Sequence, residues 1–155
     1  MMKALIFFTL FLPLFVWGST TESLQQPYSA SQNQVKYGDF EINFVVFNST
    51  FIQPGIASAA NLVRSPKIAY VNINVVKINS DGSRQKHHAK VTGNVFDLII
   101  RKDLEFVVLE EKDAVYYFAP VEIQHKIPLY FTFYVTPDGM AQPKVIKMKK
   151  VLYAD

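Results

Sequence analysis

The sequence predicts an all-β domain: an immunoglobulin-like antiparallel β-sandwich of about seven strands with one short helix. Three observations carry that prediction. Runs in which apolar and polar residues alternate recur along the chain, the period-two pattern of half-buried strands. Explicit turn sequences separate them, among them Asn79-Ser80-Asp81-Gly82-Ser83 and Thr136-Pro137-Asp138-Gly139. Aromatic residues make up 14% of the chain, with 13 Phe and 8 Tyr, side chains that pack well on a pleated surface. No β-α-β rhythm, internal repeat or linker is visible, and 155 residues suit one ordinary domain.

Taken from the N-terminus, residues 1–18 read as a cleaved signal peptide. Lys3 supplies the positive start, Ala4–Val16 the apolar stretch, and Val16 and Gly18 the small residues before a cut. Thirteen helical residues would span roughly 20 Å against a hydrocarbon core of ~30 Å, so no membrane span is expected after cleavage. Residues 19–34, rich in Ser, Thr and Gln, read as a flexible lead-in to a single domain over 35–155.

Phe40, Ile42, Phe44 and Val46 alternate with Glu41, Asn43, Val45 and Phe47 to make the first strand, which Asn48-Ser49-Thr50 breaks. Pro54 opens a short helix to Asn61; proline suits a first helical position, and asparagine suits the left-handed residue that closes one. Ile68–Ile78 is the second strand, with Val71, Ile73 and Val75 on one face. Asp81-Gly82 turns it into a hairpin with Ala89–Leu98. Glu105–Leu109 and Val115–Ile123 flank a polar turn, and Pro120 assigns the latter to an edge or a bulge because proline donates no ladder bond. Leu129–Val135 and Val145–Tyr153 complete the set. Lys144, Lys147, Lys149 and Lys150 make the last strand basic, which suits an edge protected against pairing with other chains.

Chemistry-bearing patterns are sparse. With 0 Cys there is no disulfide, thiol nucleophile or thiolate metal site. Adjacent His87 and His88 on a strand point to opposite faces, and His125 lies far along the chain, so no metal or other cofactor is expected. Neither a Gly-x-Ser-x-Gly elbow nor a phosphate-binding glycine loop occurs. A formal charge of +3, with an export signal, gives no reason for a nucleic-acid partner. The most distinctive local feature is the break after the first strand. Phe47 and Phe51 bracket Asn48, Ser49 and Thr50, and Arg64 follows the helix. Both Phe rings are expected to turn inward. Asn48, Ser49, Thr50 and Arg64 are expected to form one polar corner, structural or ligand-binding.

Several blocks carry a resemblance: Tyr37-Gly38-Asp39-Phe40-Glu41-Ile42, Phe47-Asn48-Ser49-Thr50-Phe51-Ile52-Gln53-Pro54 and Arg64-Ser65, then Ala69-Tyr70-Val71-Asn72-Ile73, Val91-Thr92-Gly93 and Asp113-Ala114-Val115-Tyr116-Tyr117. They resemble a family of small exported proteins of Gram-negative bacteria known only as a domain of unknown function. The family places an aromatic and a glycine ahead of its Arg-Ser, where this chain has Ala60 and Asn61. The resemblance implies a periplasmic location and no established activity. The reading is therefore a non-catalytic periplasmic module that binds a protein, peptide or envelope component. The alternative is an envelope enzyme, or an accessory subunit of one, with a polar cleft.

Overall fold

A computed structural model of the chain describes residues 33–154. The expected signal peptide and most of the lead-in lie outside the described residues. Among those described are ten strands: β1 (Gln34–Tyr37), β2 (Phe40–Asn48), β3 (Ile68–Ile78), β4 (Arg84–Lys86), β5 (Ala89–Phe96), β6 (Arg101–Asp103), β7 (Val107–Glu110), β8 (Val115–Glu122), β9 (Pro128–Pro137) and β10 (Lys144–Val151). A 3-10 turn (Ser49–Phe51) and helix α1 (Pro54–Ala59) lie between β2 and β3. All pairings are antiparallel. The larger sheet runs β1-β2-β3-β8-β7, with β4 also on β3; the smaller runs β10-β9-β5-β6. Without the short β1, β4 and β6, this is the four-plus-three strand order of an immunoglobulin constant-type domain.

The count of about seven strands is corrected to ten. The three missed strands span only three or four residues, too short to display a period. One pairing is corrected as well. Ala89–Phe96 does not return along β3; the turn at Asp81-Gly82 leads only into β4. The chain then changes sheets at the two histidines. The His87 N–H donates to Val75 O in the larger sheet, while His88 O accepts from Asp138 N–H in the turn after β9. Beyond that crossing β5 pairs with β9. Pro120 sits opposite Tyr70, past the end of β7, so its missing N–H faces no ladder partner.

The alternation read from the sequence holds at the core. Phe40, Ile42, Phe44 and Val46 of β2 and Val71, Ile73 and Val75 of β3 are buried against Phe131, Phe133, Val135, Ile146 and Met148 of the facing sheet. Glu41, on the opposite parity, is also buried, and Arg84 of β4 meets it with both terminal nitrogens. The Arg84 guanidinium holds the Glu41 carboxyl below its ordinary range.

Candidate functional site

The segment between β2 and β3 is a strap laid across the outward face of the larger sheet. It starts where the strand must stop. Asn48, the last β2 residue paired with β3, donates its side-chain Nδ2–H to Tyr153 O at 2.6 Å. Ser49, 0% exposed, donates its hydroxyl to Ser65 O and accepts from Ser65 N–H, each at 2.8 Å. Arg64 Nη2 donates to Thr50 O at 3.0 Å. Pro54 occupies the first turn of α1, and Asn61 closes it at φ 52°. Tyr70, on the outward parity of β3, is buried beneath the strap, and its hydroxyl accepts from Val63 N–H at 2.9 Å.

Of the expected corner, Thr50 and Arg64 bond directly, Ser49 bonds to Ser65 next to Arg64, and Asn48 bonds elsewhere, to Tyr153. Ser49 with Ser65 and Arg64 with Thr50 tie the strap's two ends to each other, while Asn48 reaches the chain beyond β10. Phe51 corrects the expectation that both aromatic rings turn inward. It is 78% exposed, while Phe47 is half-buried on the sheet's outer side. Strand parity ends at the 3-10 turn, where three residues complete a revolution, so the count from Phe47 no longer predicts direction. Ser49→Ala is therefore expected to cost about 1–2 kcal/mol by stranding the Ser65 backbone groups. Phe51→Ala should stay within about 0.5 kcal/mol because it removes an exposed ring. Urea melts of the two variants would separate them, and a larger loss for Phe51→Ala would refute the assignment.

Phe51 instead lines one wall of an apolar groove. Phe47, Ile52, Ile56, Leu109 and Phe118 complete a hollow of about 350 Å³ between the strap and the end of β7. The groove continues along the outer face through aromatic contacts. Phe118 meets Tyr70 edge-on at 6.3 Å and Tyr116 at 6.1 Å. Beyond Tyr116 the lining turns to amides. Asn43 stands opposite Asn74, which stands opposite Tyr116, and Asn72 lies between Val45 and Phe118. Asn74 Nδ2 donates to Val115 O at 3.0 Å, while Asn72 Oδ1 is buried with no hydrogen-bond partner among the described residues. One face therefore carries an apolar end and a neutral polar end.

The neighbouring edge strand is chemically unlike the other sheet edges. Lys144, Lys147, Lys149 and Lys150 lie along β10, Arg101, Lys102 and Asp103 make up β6, and β1 is short and carries Lys36. These are devices that discourage strand addition. Among the described residues β7 pairs only with β8, and it exposes Val107, opposite Phe118 of the groove.

Among the described residues the titratable groups sit in small local contacts. The His87 Nε2–H donates to Asp138 O at 2.9 Å, with the ring 4.7 Å from that of Phe40. His88 Nε2 lies 3.5 Å from Glu110 Oε1, which also takes Lys86 Nζ at 3.0 Å. Lys86 holds Glu110 below its ordinary carboxyl range. His125 packs edge-on to Tyr153 at 5.7 Å. Among the described residues no three His, Asp or Glu side chains meet as metal ligands would. The groove was beyond sequence reading because it joins residues of the strap, β7 and β8. Its one local signal was Phe51 beside a strand break.

Residues 34–155 match the sequence profile of the family Domain of unknown function (DUF4426). None of the curated proteins compared matches the chain. Among solved structures, the chain is similar to a DUF4426 family protein of Pseudomonas aeruginosa PAO1, at 31% identity and a TM-score of 0.67, covering 79% of this chain and 94% of that one. It is also similar to a copper-bound variant of FetP from uropathogenic Escherichia coli strain F11, at 10% identity and a TM-score of 0.53, covering 81% and 96%. FetP of the same strain as isolated, expressed in the periplasm, gives 10% identity and a TM-score of 0.52 over 77% and 91%. At that identity the likeness to FetP is one of fold alone.

Proposed function

The chain belongs to the DUF4426 family, and from that premise we propose that it is a non-catalytic periplasmic binding module. Its ligand is an extended segment of another protein or a peptide, taken along the outer face of the larger sheet. The observation that carries this reading is the exposed groove at Phe51 beside β7, the apolar sheet edge among the described residues. A strand added to β7 gains main-chain hydrogen bonds, and alternate side chains from it reach the groove past Leu109 and Phe118. The amide end, with Asn43, Asn72, Asn74 and Tyr116, then serves polar groups of the same segment.

The non-catalytic half of the reading is supported by how the displaced carboxyls are held. Arg84 faces Glu41, Ser83 faces Asp81, the Ile99 and Ile100 amides face Asp97, and Lys86 faces Glu110. Three of these contacts gather around Ser83–Lys86 and Asp97 lies apart in the β5–β6 hairpin, and each carboxyl has a structural partner. The periplasmic half rests on the signal-like residues 1–18; among the described residues no helix is long and apolar enough to cross a membrane.

A photo-crosslinking amino acid at Phe51 or Val107 in living cells is expected to yield the same adduct from both positions. Placed at Tyr134, on the outer face of the smaller sheet, it should yield none of that adduct. Silence at both groove positions, or one adduct common to all three, would refute the proposal.

A further inference from the structure

The opposite face of the sandwich carries a second, chemically different surface. One cross-strand row on the outside of the smaller sheet reads Arg101, Phe96, Tyr130, Lys149, each residue opposite the next. The Arg101 guanidinium lies 5.7 Å from the Phe96 ring centre, and Lys149 Nζ lies 5.4 Å from that of Tyr130. The next row is Asp103, Asn94, Thr132, Lys147, and Lys90 stands farther along β5 opposite Thr136. This face thus carries four cations, Arg101, Lys149, Lys147 and Lys90, against the single carboxylate of Asp103. Lys102 points the other way and is paired with Glu122 at 3.2 Å.

The β5–β6 hairpin projects from the end of that row. Its tip is Leu98-Ile99-Ile100, three aliphatic side chains in succession, all exposed, with Ile99 at 85%. A polar turn would be the ordinary choice for such a position. Asp97 Oδ1 accepts from Ile99 N–H at 3.1 Å and from Ile100 N–H at 2.8 Å, and Leu98 sits at φ 78°, a conformation a branched side chain rarely adopts. The apolar tip is therefore held in one shape, with the cation–aromatic row immediately behind it.

We propose that this hairpin tip docks on an anionic bilayer, with Leu98, Ile99 and Ile100 entering the headgroup boundary and Arg101, Lys147 and Lys149 meeting lipid phosphates. Aliphatic side chains at the leading edge with cations and aromatics just behind are the arrangement an interfacial surface requires. The charge decides between occupants. A soluble apolar partner would leave the cations without purpose, and a soluble polyanion would leave the aliphatic tip in water. This surface is separate from the groove at Phe51, so the module can rest on a membrane and still present that groove.

The test places the only indole at the tip. Trp17 is the sole tryptophan of the sequence, so Ile99→Trp combined with Trp17→Phe reports that position alone. With vesicles containing phosphatidylglycerol, the emission is expected to shift to the blue and become shielded from iodide. Pure phosphatidylcholine vesicles should produce neither change. Adding Arg101→Glu and Lys149→Glu should weaken the titration about ten-fold or more. The same background carrying Phe51→Trp in place of Ile99→Trp should show no shift. Phe51, Ile99, Arg101 and Lys149 are exposed, and thermal melts check that each variant is folded. No blue shift on anionic vesicles, an equal shift on neutral ones, a response that survives the charge reversals, or an equal shift at Phe51→Trp would overturn the proposal. Heparin binding without a tip response would assign the cations to a soluble polyanion and overturn it too.

Discussion

Phe133→Ala is expected to destabilise the protein by about 3–5 kcal/mol, the largest effect of any single truncation considered for this fold. Phe133 is fully buried at the middle of β9, with its ring 5.7 Å from that of Phe131 and 6.3 Å from that of Phe44 in the facing sheet. Removing it takes away apolar transfer energy and leaves a cavity between two sheets that cannot close over it. A domain of ordinary stability holds only about 5–15 kcal/mol in reserve, so partial unfolding at room temperature is within reach. Its neighbour Tyr134 points outward and is partly exposed, and Tyr134→Ala should cost no more than about 1 kcal/mol. Urea denaturation of the pair checks the assignment. Equal midpoints would mean that Phe133 does not sit in the inter-sheet core.

Gly93→Ala is expected to cost about 2–3 kcal/mol although it adds a single methyl group. Gly93 lies in β5 opposite Phe133, and a Cβ there would stand 2.7 Å from Thr132 O and 3.1 Å from Phe133 Cδ1. The nearest atom is backbone of the paired strand, so relief requires moving β5 away from β9 along its ladder. Gly93 O also accepts from Leu104 N–H at 2.9 Å, which ties the same point to the chain beyond β6. Gly55, in α1, is the counterpart: a Cβ there meets nothing within 4 Å. Gly55→Ala should raise stability by about 0.5–1 kcal/mol through the helix preference for alanine. Opposite signs for the same chemical change would show that β5 and β9 approach closely at Gly93; a neutral Gly93→Ala would show that the strands can separate.

Both results bear on the proposed surfaces. β9 and β5 carry the outward row of Phe96 and Tyr130 as well as the inward Phe131 and Phe133. A shift of either strand would reach both the core and the face behind the hairpin tip.

Local patterning along the chain specifies the all-β class, the long strands β2, β3, β5, β8, β9 and β10 to within a few residues, and the buried face of β2 and β3. These follow from alternation, a local property that the extended backbone enforces two residues at a time. It also determined that Pro54 starts a helix and Asn61 ends it, because proline's ring and asparagine's tolerance of positive φ act within a single turn. The tertiary structure alone decided which strands pair. The change of sheet at His87 and His88 depends on acceptors at Val75 and donors at Asp138, remote in the chain. Strands of three or four residues have no period to read and exist only because a longer neighbour offers its unpaired edge. Phe51 was misread because a 3-10 turn replaces the extended backbone there, and strand parity does not pass through it. The groove beside β7 and the row from Arg101 to Lys149 each gather residues from separate segments, so their chemistry arises only when the ladders bring those segments side by side.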